Sequence, residues 1–72
     1  MELSDTTNPQ LVERIRLYST GLVSEGAATE VKNFDIKSTW HNSKYKCATT
    51  GREWVVYLPD NAFGGEVKLL CP

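Results

Sequence analysis

Few residues in this chain can do covalent or acid–base chemistry: one histidine, two cysteines and nine carboxylates among 72 positions. Cys47 with His41 is a nucleophile–base combination in type, because a thiol needs a base or cation beside it to become a thiolate. On the strands read below, Cys47 points into the core and His41 away from it, and no oxyanion-binding motif accompanies them. Glu53, Asp60 and Glu66 sit beside turns, where exposure to water accounts for them. Gly64-Gly65 is followed by Glu66, whose charge repels a phosphate, and the Lys-Ser or Lys-Thr of a phosphate loop is missing. Two cysteines and one histidine fall short of the four ligands of a structural zinc site. The expectation is a protein that is not an enzyme and holds no metal and no cofactor.

What remains is a pattern of lysines among aromatic rings. Lys37, Lys44, Lys46 and Lys68 interleave with Trp40, Tyr45 and Tyr57, a combination that single-strand nucleic-acid binders use, with cations for the backbone and rings beneath the bases. A protein-binding face has a related anatomy, an apolar centre with a polar rim. Which reading applies depends on how the elements turn these side chains.

Asn8 is a good helix N-cap, Pro9 suits the first helical position, and Gly21 falls where a helix ends. Between them Leu11, Val12, Ile15 and Tyr18 make one apolar stripe, with Leu17 off it. Residues 1–7 read as a flexible tail ahead of a single domain over 8–72. Residues 22–30 are ambiguous between a loop and a short strand at Leu22–Val23. From residue 31 the period is two: Phe34, Ile36, Ser38 and Trp40 alternate with Asp35, Lys37, Thr39 and His41, as in a half-buried strand. Two further strands, Lys44 to Thr50 and Glu53 to Leu58, flank Gly51-Arg52, which reads as a two-residue hairpin loop. Pro59-Asp60-Asn61 ends that hairpin and Gly64-Gly65 leads into a last strand, Glu66 to Cys71.

The fold class expected is α+β, one N-terminal helix packed on a four-stranded antiparallel meander. A two-residue loop sets Thr50 opposite Glu53 and Tyr45 opposite Leu58. Tyr45, Cys47, Thr49, Trp54, Val56 and Leu58 then share the helix-facing side with Phe34, Ile36, Trp40, Val67 and Leu69. The other side collects Lys37, His41, Lys44, Lys46 and Lys68 around Val55, Tyr57 and Leu70. A competing arrangement is a winged helix, with helices over 9–20, 24–33 and 35–43 and Thr49-Thr50-Gly51-Arg52 as the wing. The strict alternation from Phe34 to His41 favours the meander.

The formal net charge of −1 is a cancellation. Residues 1–30 carry five acids and two bases, net −3, whereas residues 31–54 carry five bases and two acids, net +3. Hydrophobic content of 40% with 24% charged residues excludes a disordered or membrane-embedded chain. The first eight residues lack the basic and apolar regions of a secretory signal, and no apolar run, that around Val55 to Leu58 included, is long enough for a membrane span. A cytoplasmic protein without membrane contact is expected. In that reducing compartment Cys47 and Cys71 are buried thiols rather than a disulfide, although closing that loop would add about 3 kcal/mol to a thin core.

These features point to binding rather than catalysis. Lys37, His41, Lys44, Lys46, Arg52, Val55 and Tyr57 form the expected contact set, with Tyr57 as anchor and Arg52 reaching from the hairpin tip. The expected partner is a protein with an acidic or nucleic-acid-binding surface, which the chain would regulate or inhibit; a homodimer and a nucleic-acid partner are the other two expectations. Small domains of this kind are often accessory factors of viruses and mobile elements, a base rate that no residue here establishes.

Overall fold

The computed structural model describes residues 3–37, 40–59 and 64–70. In chain order these form α1 (Pro9–Ser24), β1 (Ala28–Lys32), β2 (Asn42–Cys47), β3 (Glu53–Tyr57) and β4 (Glu66–Leu70). The four strands make one antiparallel sheet in the order β1-β2-β3-β4, and α1 packs on one face of it. This is the expected α+β meander. The winged-helix arrangement is excluded, because β1 occupies the place of its second helix.

The Asn8 side chain caps α1 by accepting from the Gln10 amide at 2.9 Å. The helix does not stop at Gly21 but runs a full turn further, to a Glu25 cap. There Gly26 turns left-handed at φ 78. Its amide donates to the Val23 carbonyl at 3.0 Å, and that of Ala27 to the Leu22 carbonyl at 2.8 Å. This paired closure satisfies two of the carbonyls that a helix end leaves open. Gly21 is thus an interior helical residue with open space where a side chain would begin. Gly21→Ala is expected to stabilise the protein by about 0.5–1 kcal/mol, read as a higher urea midpoint at unchanged slope.

The buried stripe of α1 is Val12, Ile15 and Ser19, with Tyr18, Leu22 and Val23 partly covered. Leu11, expected on the stripe, is exposed, and so is Leu17. Ser19 sits among apolar residues because it has two partners. Its hydroxyl donates to the Ile15 carbonyl at 2.6 Å and accepts from the Trp54 indole N–H at 2.8 Å. Trp54 lies at the sheet centre against Tyr45, their rings stacked with centroids 6.0 Å apart. Val56 and Val67 complete this layer.

Three sequence expectations need correction here. The alternating segment from Phe34 to His41 is not a strand: its described part is a loop, Ser38 and Thr39 lying outside the described residues. Phe34 and Ile36, assigned to the core, are exposed, and Trp40 is half-buried. The hairpin loop between β2 and β3 is longer than two residues, closing from the Cys47 amide to the Arg52 carbonyl at 2.9 Å. Tyr45 therefore faces Trp54, and Lys46 faces Glu53. That is a shift of four in pairing, and an even shift leaves every β2 and β3 side chain on its expected face. Residues 3–7 are not a loose tail. Leu3 is in the core, and Thr6 exchanges two backbone hydrogen bonds with Val67, at 3.1 and 2.9 Å.

Candidate functional site

The face of the sheet away from α1 is built on one cross-strand row, Val31, Lys44, Val55 and Lys68. Residues 33–37, described after β1, form a loop that meets this face through Phe34 and Asp35. Asn42, itself buried, clamps this loop: its side-chain carbonyl accepts from the Asp35 amide at 2.8 Å, and its amide group donates to the carbonyls of Asp35 at 3.1 Å and Trp40 at 3.0 Å. Asn33 enters the loop in a left-handed conformation, φ 54, that asparagine tolerates better than most residues. Asp35 in turn accepts a hydrogen bond from the Tyr57 hydroxyl at 2.9 Å. Burial, followed by this carboxylate, pushes the Tyr57 phenol above its usual range.

The expected contact residues are thus placed unequally. Val55, expected at the exposed apolar centre, is only 2% exposed, and its cross-strand neighbours on this face are Lys44 and Lys68. Tyr57 is half-buried; its hydroxyl is bound to Asp35, and the Lys68 ammonium lies 5.6 Å from its ring centre. Lys44 is half-buried, with its ammonium 2.8 Å from Glu53 and 5.0 Å from the ring centre of Phe34. That ion pair holds the Glu53 carboxyl below the usual carboxylate range. Lys37, Lys46 and Arg52 are exposed as expected. His41 is not with them but lines a groove on the helix side of the sheet.

The lysines do not form a bare basic surface. Register brings Glu53 opposite Lys46 and Glu66 opposite Tyr57 on the same face, and Asp35 stands at its edge, so acids and bases alternate there. Sequence reasoning missed the apolar residues that do reach water beside it. Val31 is 47% exposed, Phe34 44% and Ile36 85%. Their signal was the alternation itself, which was assigned to a buried strand.

The helix-side groove, about 310 Å³, lies between Arg16 and Thr20 of α1 and Glu30, Lys32, Ser43 and Tyr45 of β1 and β2, with His41 and Leu58 at its end. The Tyr45 hydroxyl donates to Glu30 at 2.9 Å. Burial first, and this carboxylate second, push the Tyr45 phenol up to about 12 from 10.0. A raised phenol favours the neutral form in the folded state. Its contribution to stability is complete below the unfolded value and is lost as pH climbs towards 12. Over those two units the loss is about 2–3 kcal/mol. In an alkaline absorbance titration the Tyr45 phenolate is expected to appear last, and Tyr45→Phe should remove that final step.

Cys47 and His41 are not brought together. They flank opposite ends of β2, a separation of roughly 20 Å along a strand. The Cys47 thiol is free, and its pKa is lowered first by the Thr50 hydroxyl and then by the backbone amides of Thr50 and Thr49. Its expected non-pairing with Cys71 concerns a residue outside the described ones. Among the described residues no three of His, Cys, Asp and Glu converge as metal ligands, and no helix is long and apolar enough to cross a membrane. Compared with protein-family models, curated proteins and solved structures, the chain matches none.

Proposed function

We propose that the protein is a non-catalytic cytoplasmic binding module that engages another protein and regulates or inhibits it by covering part of its surface. The observation that supports this reading is the exposure of three apolar residues close together in the chain, Val31, Phe34 and Ile36, which we take as one ridge. It is apolar, exposed, held at its loop end by the Asn42 clamp and bordered by Lys37 and Lys44. An apolar centre already fixed by hydrogen bonds, with charge at its rim, binds without a large ordering cost. The cationic rim favours an acidic partner surface or one that itself receives nucleic acid. Lys46 and Arg52 extend the rim towards the hairpin, and His41 lies outside it.

A nucleic-acid partner ranks second. The rings of Tyr57 and Phe34 already carry lysine ammonium groups over them, and Asp35, Glu53 and Glu66 share the face with the lysines, where they oppose a phosphate backbone. The test is capture from a host lysate on immobilised wild type, Ile36→Asp and Lys37→Glu, followed by mass spectrometry. A protein retained by wild type and lost from both variants, with melting temperatures unchanged, supports the ridge as the contact. Equal retention by all three overturns it. Salt-sensitive binding of a labelled oligonucleotide by the wild type would put the nucleic-acid reading first.

A further inference from the structure

The two edges of the sheet are finished differently. At the β4 edge Thr6 pairs with Val67, and the Asp5 carboxylate accepts from the Leu69 amide at 2.7 Å. At the β1 edge no described segment does the same. The hydrogen bonds from the Asn33 amide to Asn42 at 2.7 Å and from the Ala48 amide to Ala27 at 2.9 Å set the phase of the β1–β2 ladder. Odd-numbered residues of β1 bond to β2, so the amides and carbonyls of Ala28, Glu30 and Lys32 point outward. An open row of this kind is a template for another strand.

We propose that this edge pairs antiparallel with the same edge of a second copy, in a register centred on Val31, to give a continuous eight-stranded sheet. Charge selects the register. Centring two copies on Glu30 sets glutamate against glutamate, and centring them on Lys32 sets lysine against lysine. Centring on Val31 sets Glu30 opposite the second copy's Lys32 and Lys32 opposite its Glu30. Those two positions then exchange four backbone hydrogen bonds. Edge charges usually repel a second strand, but here their spacing makes the edge self-complementary. The Tyr45 hydroxyl on Glu30 Oε2 holds that carboxylate in place. The Val31 side chain, 47% exposed in the single chain, meets its own mate at a non-hydrogen-bonded site, where the strands are closest. The pairing is separate from the engagement of a different protein and would set two ridges side by side.

Sedimentation equilibrium from micromolar to millimolar concentration tests this on the full chain. A monomer–dimer equilibrium is expected for the wild type. Lys32→Glu is expected to weaken it about tenfold or more, since both cross-strand pairs become repulsive. The exchanged variant, Glu30→Lys with Lys32→Glu, is expected to restore it. Ile36→Asp should leave the dimer intact, which separates failure here from failure of the ridge as a protein-binding surface. Amide exchange is a second readout that needs no variant: protection at Glu30 and Lys32 should rise with concentration. A monomer throughout, a dimer indifferent to Lys32→Glu, or no concentration-dependent protection at those two amides overturns the proposal.

Discussion

Gly65→Ala is expected to destabilise the protein by about 3–5 kcal/mol, the sum of left-handed backbone strain and overpacking. Gly65 sits at φ 93, and a Cβ there would lie 2.8 Å from Val12 Cγ1 and 3.0 Å from the Tyr57 carbonyl oxygen. Neither neighbour can retreat: Val12 is fully buried on α1 and the carbonyl belongs to β3. A domain of this size has a total stability of roughly 4–11 kcal/mol, so a large share of it would go. Gly64→Ala is the control. The three atoms nearest its Cβ would all belong to the ring of exposed Pro9, with Cγ at 3.0 Å, and a loss below about 1.5 kcal/mol is expected. Urea unfolding of the two variants checks this, and equal losses would mean that the close approach of α1 to the β3–β4 connection is not what Gly65 serves.

Trp54→Ala is expected to cost about 3–5 kcal/mol through the cavity it leaves under α1. Its polar partner makes the site more informative than its size. Ser19→Ala removes the acceptor of the indole N–H and leaves a buried donor unpaired, at about 1–3 kcal/mol. Trp54→Phe removes the donor. If the Trp54–Ser19 bond matters as the geometry says, the double variant Ser19→Ala with Trp54→Phe will lose less than the two single losses added. Simple additivity in denaturant unfolding would show that Trp54 is held by packing alone.

Sequence pattern carried the fold class and the faces of the central hairpin, because apolar alternation in β2 and β3 is imposed by a real buried layer. It did not carry the partners within that hairpin, since nothing local distinguishes a two-residue loop from the longer turn closed by Cys47 and Arg52. The helix end was misread because Gly21 and Gly26 are alike in sequence, and only Gly26 has the two carbonyls in place to receive its closure. β1 was hard to see for a physical reason. An edge strand buries little, and in Ala-Thr-Glu-Val-Lys only Ala28 is fully covered. The stronger alternation just after it belongs to a loop, where Phe34 and Ile36 face water. For the candidate site the lysines were legible as exposed cations, but the acids that register sets among them were not. Val55 could not be recognised as buried, because the alternation of β3 places it on the outer face and does not show how far that face is covered.

The pairing of Thr6 with Val67 has a further consequence for the order of events in folding. Asp5 and Leu69 meet across 64 positions, close to the whole chain, whereas β2 and β3 are joined by one short turn. Closing so large a loop costs the most chain entropy and returns only a few hydrogen bonds and the burial of Leu3. The hairpin and helix are therefore expected to assemble first, and the N-terminal strap to zip onto β4 last. Substitutions at Leu3 or Thr6 should then quicken unfolding and leave the folding rate nearly unchanged, whereas those at Trp54 or Val56 should slow folding itself. The strap thus acts as a kinetic lock on a sheet that is already formed.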